Sequence, residues 1–245
     1  MSSRRAPGVA ELVGEARRTR SWRLVAGMAS HRENELMQSL GELPVIVHDI
    51  AAFYAQRGVD RRDREVRRDY DRVTLELLSP YRPDVLVLCG YLYLVTDVLL
   101  DAFPGRVINV HDSDLLRVDG EGVPLYRGLH ATREAILAGE AETRSTVHVV
   151  TAELDSGPVL ARSESFPVHP MVQDALRWGA MDIVKAYAYA QREWMMRACW
   201  GRLLAEALDF LAASPGGPVL VPGAMERYDP ALSLYGRASE QVIVR

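Results

Sequence analysis

Polar side chains stand at the ends of two strand-like stretches of this chain. Residues 106–111 read Arg-Val-Ile-Asn-Val-His, an apolar run that finishes in the amide of Asn109 and the imidazole of His111. Residues 146–158 begin as a β-branched run and break into a loop that carries the carboxylate of Asp155. Because side chains alternate along a strand, Asn109 and His111 point to the same side. We expect all three to meet at the carboxyl end of a sheet, where open α/β sheets bind ligands.

These three side chains have the chemistry that attack of an amine on a formyl group requires. As the nitrogen adds, negative charge grows on the formyl oxygen, and the Asn109 amide and a protonated His111 can donate to it. One preorganised donor is typically worth about 2.7–4 kcal/mol of barrier. Asp155 can hold the imidazolium and help carry the amine proton away, a role usually worth about 10²–10⁴ in rate. No serine or cysteine nucleophile is needed, which favours direct transfer between two nitrogens.

The pattern of apolar residues predicts alternating strands and helices. Strand-like runs cover residues 22–29, 44–48 and 85–90, and further runs contain Asn109 and begin at Thr146. Helical spacing covers the stretches 9–19, 33–40, 68–78, 96–102, 132–138 and a long segment at 173–213. This order is typical of an α/β fold with a doubly wound, mostly parallel sheet. We expect the long helix to pack on the sheet or on a partner subunit.

The chain divides into a predicted α/β domain, residues 1–213, and a carboxyl-terminal tail, residues 214–245. The tail is rich in proline and glycine and is predicted to be extended. Two of its stretches are strand-like, Pro-Val-Leu-Val-Pro at 218–222 and Gln-Val-Ile-Val-Arg at 241–245.

Composition favours a cytoplasmic enzyme. With 245 residues, of which 48% are hydrophobic and 25% charged, the chain can bury a full core as one domain. A net charge of −4 gives no electrostatic case for nucleic-acid binding. Two cysteines, Cys89 and Cys199, offer neither a disulfide framework nor metal spacing. The chain has no apolar run of membrane-spanning length and no signal-peptide core, so we expect no membrane association.

Several ordered blocks, spread over about a third of the chain, resemble one known family. They are Pro-Asp-Val-Leu-Val-Leu-Cys-Gly-Tyr at 83–91, Phe-Pro-Gly-Arg-Val-Ile-Asn-Val-His at 103–111, Gly-Leu-His-Ala at 128–131, and Ser-Thr-Val-His-Val-Val at 145–150 followed by Glu-Leu-Asp-Ser-Gly-Pro at 153–158. The chain resembles the glycinamide ribonucleotide formyltransferases and their relatives, which use 10-formyltetrahydrofolate as formyl donor.

The resemblance implies a fold of the formyltransferase type and assigns the catalytic roles to Asn109, His111 and Asp155. It implies 10-formyltetrahydrofolate as co-substrate, a small-molecule amine as acceptor, and no metal. It also implies that the pterin ring lies against two segments, Leu92, Tyr93, Leu94 and Val95, and Ala152, Glu153 and Leu154 up to Asp155.

Two departures from the family pattern stand out. After the histidine the family reads Pro-Ser-Leu-Leu-Pro, whereas residues 112–116 read Asp-Ser-Asp-Leu-Leu, and the connection to Gly128 is longer. We therefore expect a different acceptor or a different lid. At the amino end neither the first strand nor the Gly-rich phosphate loop is visible, and the chain is predicted to enter directly at the first helix. Either the start is placed downstream, or a tail strand from this or a partner chain replaces the missing one.

Three functions remain open. The first is N-formyltransfer from 10-formyltetrahydrofolate to an amine that need not be glycinamide ribonucleotide. The second is hydrolysis of the same donor, and the third is a non-catalytic folate-binding role. The sequence leaves open whether the chain forms a homodimer.

Other polar residues carry weaker predictions. His130 either contacts the acceptor or only bonds the backbone, and His148 is predicted to be a buried, hydrogen-bonded histidine. Asp112 and Asp114 lack the further ligands that a metal would need. A charged cluster is predicted to form a solvated face, and the alternative is that it holds an anionic acceptor; its arginines are Arg61, Arg62, Arg64, Arg67 and Arg68.

Overall fold

The computed structural model describes residues 1–60 and 63–213. The helices in these ranges are α1 (Val9–Arg18), α2 (Leu36–Leu40), α3 (Ile50–Arg57), α4 (Arg64–Leu78), α5 (Asp97–Ala102), α6 (Ala131–Leu137), α7 (Pro170–Arg177) and α8 (Met181–Ala213), with a 3₁₀ turn at Ser79–Tyr81. The strands are β1 (Gly27–Ala29), β2 (Val45–Val47), β3 (Leu86–Leu88), β4 (Val107–His111), β5 (Glu142–Thr143), β6 (Thr146–Val149), β7 (Val159–Arg162) and β8 (Phe166–Pro167). No helix in these ranges is long and apolar enough to cross a membrane.

The strands form one main sheet in two parts and a small separate ladder. β1 pairs with β2 and β3 pairs with β4, both in parallel. β6 and β7 extend the second part in antiparallel pairing, and β5 pairs with β8 apart from it. The predicted fold class is confirmed: strands and helices are mixed, and a long carboxyl-terminal helix is present.

Residues 1–3 lie between the two parts of the main sheet. Ser2 forms a parallel bridge with Ala29, and its amide donates to the Met28 carbonyl at 2.9 Å. On the other side the Cys89 amide donates to the Met1 carbonyl at 2.9 Å. The prediction that the chain enters directly at α1 is therefore wrong, because three residues first pair with both neighbouring strands.

The strand predicted at residues 22–29 is paired only at its carboxyl end, as β1. Residues 1–3 supply the neighbouring backbone there, whereas residues 22–26 have no strand beside them on that side within the described chain. Pairing with β2 on the other side also begins only at Gly27, so residues 22–26 belong to no strand.

Two acidic caps set helix starts that the apolar pattern did not reveal. The Asp49 side chain accepts from the Ala52 amide at 3.0 Å and starts α3, for which we made no prediction. The Asp63 side chain accepts from two amides, and α4 therefore begins four residues before the predicted start. Such acidic caps satisfy amides that the first turn leaves unpaired.

The long helix predicted at residues 173–213 is two helices, α7 and α8. Gly179 lies between them with φ of 70°, a left-handed conformation that ends α7. Helix α8 packs on the sheet as expected, with Met195, Met196 and Trp200 buried. The Trp200 indole donates to Ser145 Oγ at 3.0 Å. The predicted tail, residues 214–245, lies outside the described residues.

Candidate active site

The antiparallel pairing of β4 with β6 builds the centre of the site. Asn109 lies opposite His148 in this register, and His111 lies opposite Thr146. Cross-strand neighbours share one face of the sheet, so Asn109, His111 and His148 project to the same side. The Asn109 amide nitrogen lies 3.2 Å from His148 Nε2.

His148 is buried and orients the Asn109 amide. Its Nδ1 lies 3.0 Å from the Val149 carbonyl, which can only accept, so Nδ1 carries a proton. Burial lowers the pKa of His148 to about 4, and the ring is therefore neutral at pH 7. Its Nε2 must then accept from Asn109 Nδ2. The prediction of a buried, hydrogen-bonded histidine is correct, and the site includes a contact that the sequence did not indicate.

Asp155 lies between the two imidazoles. Its carboxylate oxygens are 3.7 Å from His111 Nδ1 and 3.6 Å from His148 Nε2. The Gly128 amide donates to Oδ2 at 2.8 Å and fixes the carboxylate from the other side. Asp155 has φ of 46°, in the left-handed region that costs a non-glycine residue energy and is often found at functional sites. The structure thus brings the three predicted side chains together.

The two ring nitrogens of His111 have different surroundings. Its Nδ1 faces Asp155 and also lies 3.9 Å from the Asp112 carboxylate. Its Nε2 is buried and has no hydrogen-bond partner among the described residues. An unpaired buried donor or acceptor is costly, so this atom is available for a substrate oxygen.

The loop that carries Asp155 depends on a close backbone contact at Gly157. A Cβ atom on residue 157 would lie 1.8 Å from the Val149 carbonyl oxygen, inside β6. That oxygen belongs to the strand that carries His148, and the Val149 amide is itself bonded to the Pro158 carbonyl at 2.9 Å. Only glycine fits this approach without moving the loop or the strand.

Gly157→Ala should therefore displace Asp155 from the imidazoles. We expect a loss of at least about tenfold in turnover, since misplacement by about 1 Å can cost 10²-fold. Gly120→Ala is the matched control, because a Cβ atom there meets no other atom within 4 Å. Steady-state assay of the folded variants checks this. Full activity in Gly157→Ala would show that the contact does not position the loop.

The segments predicted to hold a pterin ring present uncovered apolar side chains. Leu92, Leu94 and Leu154 are 52%, 67% and 47% exposed, and Ala152 and Glu153 are exposed as well. Tyr93 is partly covered, because its ring stacks on that of His31. Val95 is partly buried and packs against a hydrophobic cluster in the protein interior.

Arg67 holds the segment around Leu94 in place. The prediction that this arginine lies on a solvated face is therefore wrong. Its guanidinium donates to the Leu94 carbonyl at 2.8 Å and to the Tyr91 hydroxyl at 3.0 Å. It also forms an ion pair with the buried Asp71 at 2.8 Å. The Arg67 side chain is only 11% exposed because three acceptors surround it, which spacing alone could not show. Arg61 and Arg62 lie outside the described residues.

The divergent acids after His111 are tied to the protein. Asp112 pairs with Arg192 of α8. Asp114 accepts from Arg162 Nε at 3.0 Å. Within residues 1–60 and 63–213, no group of three His, Cys, Asp or Glu side chains is arranged to hold a metal. These ion pairs explain how a different sequence keeps the loop beside His111 in place.

The neutral state of His148 predicts how stability depends on pH. Burial lowers the pKa of His148 and of His48 to about 4 from the ordinary histidine value of 6.5. Between these values the unfolded chain binds protons that the native protein excludes, so stability falls as pH falls from 6.5 to 4. Each such proton contributes about 1.4 kcal/mol per pH unit.

His148→Gln should lower the slope of the unfolding free energy against pH, between pH 4 and 6.5, by the contribution of about one proton. Urea unfolding at several pH values between 4 and 7.5, compared with the unchanged protein, measures it. An unchanged slope would mean that His148 titrates normally in the folded state.

Known proteins match this chain over part of its length. Residues 40–176 match the family model described as formyl transferase. The chain is 37% identical over 98 residues to phosphoribosylglycinamide formyltransferase of Escherichia coli strain K12, covering 40% of this chain and 42% of that protein. It is 32% identical over 100 residues to formyltetrahydrofolate deformylase of Bacillus subtilis strain 168, covering 41% and 31%. The aligned part thus spans less than half of these relatives.

Solved structures show the same fold over most of the chain. Glycinamide ribonucleotide transformylase 1 from Symbiobacterium toebii superposes with a TM-score of 0.61 at 24% identity, over 87% of this chain and 86% of that one. Phosphoribosylglycinamide formyltransferase from Bacillus halodurans gives 0.58 at 24% identity, over 87% and 96%. At this identity the likeness concerns the fold alone.

Proposed function

Since the chain belongs to the formyl transferase family, whose model matches residues 40–176, we propose that it transfers the formyl group of 10-formyltetrahydrofolate to an amine. The observation that carries the proposal is the cluster of Asn109, His111 and Asp155. A carboxylate lies 3.7 Å from His111 Nδ1, while Nε2 of the same ring has no hydrogen-bond partner among residues 1–60 and 63–213. That ring can donate to a substrate oxygen on one side and be held by a carboxylate on the other.

The proposed reaction is a direct displacement at the formyl carbon. The amine nitrogen attacks, a new C–N bond forms, and the formyl oxygen takes negative charge. Asn109 Nδ2 and a protonated His111 Nε2 donate to that oxygen. The amine proton passes through Asp155, directly or by way of water, to N10 of the folate as the C–N10 bond breaks. Tetrahydrofolate and the N-formyl product leave.

His148 is a positioning residue in this scheme. Its Nε2 accepts one proton of the Asn109 amide, so the amide cannot flip and turn its oxygen toward the formyl oxygen. Asn109 Nδ2 has a second proton, and that proton is the donor in the scheme. A fixed donor contributes more than a rotating one because it needs no reorganisation during the reaction.

For the pterin we propose the surface formed by Leu92, Tyr93, Leu94, Val95, Ala152, Glu153 and Leu154. Three exposed leucines on it suit a flat heterocycle. Backbone groups are also available, although the Leu92 amide is bonded to Ser3 Oγ at 3.0 Å and the Leu94 carbonyl to Arg67. The remaining amides and carbonyls of these segments are the candidates for recognising the pterin edge.

One assay tests both which class of amine accepts the formyl group and whether water takes the place of the amine. The protein is incubated with 10-formyltetrahydrofolate, with and without a panel of amines, and tetrahydrofolate release and formyl-amine formation are both followed. Transfer predicts release that depends on one class of amine, with one formyl product per tetrahydrofolate. Amine-independent release with free formate would instead assign the protein to hydrolysis, the activity named for the Bacillus subtilis relative. No release at all would leave only a binding role.

A further inference from the structure

The His111 ring lies between two carboxylates. Asp155 Oδ2 is 3.7 Å from His111 Nδ1, and Asp112 Oδ1 is 3.9 Å from the same nitrogen. Both acids are buried, with Asp112 only 4% and Asp155 only 9% exposed. Charges at this separation interact strongly where water is excluded. The protonation of His111 therefore depends on both acids, although only Asp155 enters the proposed reaction.

The surroundings of Asp112 keep its carboxylate ionised. Its Oδ2 is paired with the Arg192 guanidinium of α8. Thr132 Oγ1 donates to the same oxygen at 3.1 Å and to the Asp112 carbonyl at 2.7 Å. A cation and a hydroxyl donor both favour the charged form of a carboxylate. Because these partners contact Oδ2, the Asp112–Arg192 pair presents its negative end, Oδ1, to His111.

The surroundings of Asp155 suit a carboxylate that takes up a proton. No arginine or lysine among the described residues forms an ion pair with it, and its Oδ2 accepts only from the Gly128 amide, at 2.8 Å. Its Oδ1 is 3.6 Å from Nε2 of the neutral His148. Two acids in such unequal surroundings commonly divide the work of an acid–base site between them.

We propose that Asp112 is a positioning residue for the transfer: its carboxylate keeps His111 protonated while Asp155 carries the amine proton. This inference rests on the proposed function. When Asp155 takes up the proton it becomes neutral and no longer balances the imidazolium, whereas the charge of Asp112 remains. His111 can therefore still donate to the formyl oxygen while that oxygen is negative. Asp155 then passes the proton to N10 of the folate and is ionised again.

Two further groups face this part of the site. The His148 ring on β6 has its centroid 6.4 Å from that of His111, and it is neutral at pH 7. Arg192 contacts the oxygen of Asp112 that is turned away from His111. It weakens the effect of the carboxylate on His111 but does not reverse it, since Oδ1 is the atom turned to the ring.

Titration of the His111 ring by NMR tests the inference without any substrate. The carbon-bound ring proton is identified by its loss in His111→Gln and is followed as pH is raised. In Asp112→Asn the midpoint of this titration should fall by at least about one pH unit, because an opposite charge has been removed. Asp114→Asn is the matched control. It removes the same charge from the same loop and from a similar ion pair, with Arg162, and should leave the midpoint almost unchanged.

Arg192→Gln gives a prediction of opposite sign. Removing the cation leaves the charge of Asp112 uncompensated, so the midpoint of the His111 titration should rise. This variant also decides the matter if Asp112→Asn does not fold. A midpoint that stayed the same or fell in Arg192→Gln would overturn the role of Asp112, as would an unchanged midpoint in Asp112→Asn.

The pH dependence of kcat tests the link to the reaction. His111 donates two hydrogen bonds only when it is protonated, so kcat should fall as pH rises through its titration. In Asp112→Asn this fall should begin about one pH unit lower, with folate affinity within a few-fold of that of the unchanged protein. An unshifted kcat profile would contradict the inference. Absence of transfer by the unchanged protein would instead count against the proposed function, while an unshifted ring titration would count against Asp112, so the two failures are distinct.

Discussion

Asp155→Asn lowers kcat by about 10²–10⁴ and leaves the affinity for the folate within a few-fold of that of the unchanged protein, according to the proposed mechanism. The amide keeps the shape of the side chain and can still face Gly128, whose amide donates to Oδ2 at 2.8 Å. It cannot take up the amine proton or balance an imidazolium at His111. Because these contributions are made in the transition state, binding of the donor is spared.

Asp101→Asn is the matched control for this experiment. Asp101 is an exposed carboxylate on α5, and its neutralisation changes net charge by the same amount. Single-turnover rates and folate titrations of both variants separate a chemical effect from an electrostatic one. If Asp155→Asn weakened folate binding as much as turnover, Asp155 would act in binding and the assigned role would be wrong.

Asn109→Ala should reduce kcat by about 10²–10³, corresponding to one oxyanion donor worth about 2.7–4 kcal/mol. The substitution also removes the amide bonded to His148 Nε2, which leaves that nitrogen without its donor. We therefore expect a small loss of stability beside a large loss of rate. The two effects are measured separately, by urea unfolding and by assay at saturating folate and amine.

Gln56→Ala removes an exposed amide on α3 and controls for truncation at a distance from the site. If kcat of Asn109→Ala fell only as much as the amount of folded protein, then Asn109 would not donate to the formyl oxygen in the transition state. Asn109→Asp extends the comparison, since it keeps the size of the side chain and loses both amide protons.

Alternation along a strand was enough to place Asn109 and His111 on one face of the sheet. It could not give the pairing partner of that strand. The contact between Asn109 and His148 depends on the antiparallel register of β4 with β6, a long-range property that two short apolar runs do not encode. The sequence therefore predicted the burial of His148 but not its contact with the amide.

Local signals are sufficient at two helix boundaries. Asp63 precedes a charged helix and is an ordinary amino-terminal cap, which predicts the true start of α4. Gly179 falls inside a helix-permissive stretch, and it ends α7 by a positive φ. Arg67 is different: its charge predicts exposure, and only its contacts with Leu94, Tyr91 and Asp71 explain why most of its side chain is covered.

The central claim is that Asn109, His111 and Asp155 surround a formyl group. A crystal structure with a folate analogue that carries a non-transferable formyl group at the N10 position measures this directly. The proposed mechanism predicts the formyl oxygen about 2.7–3.1 Å from Asn109 Nδ2 and from His111 Nε2, with the pterin against Leu92 and Leu94. A formyl group bound away from these atoms, or a pterin bound on another surface, would contradict it.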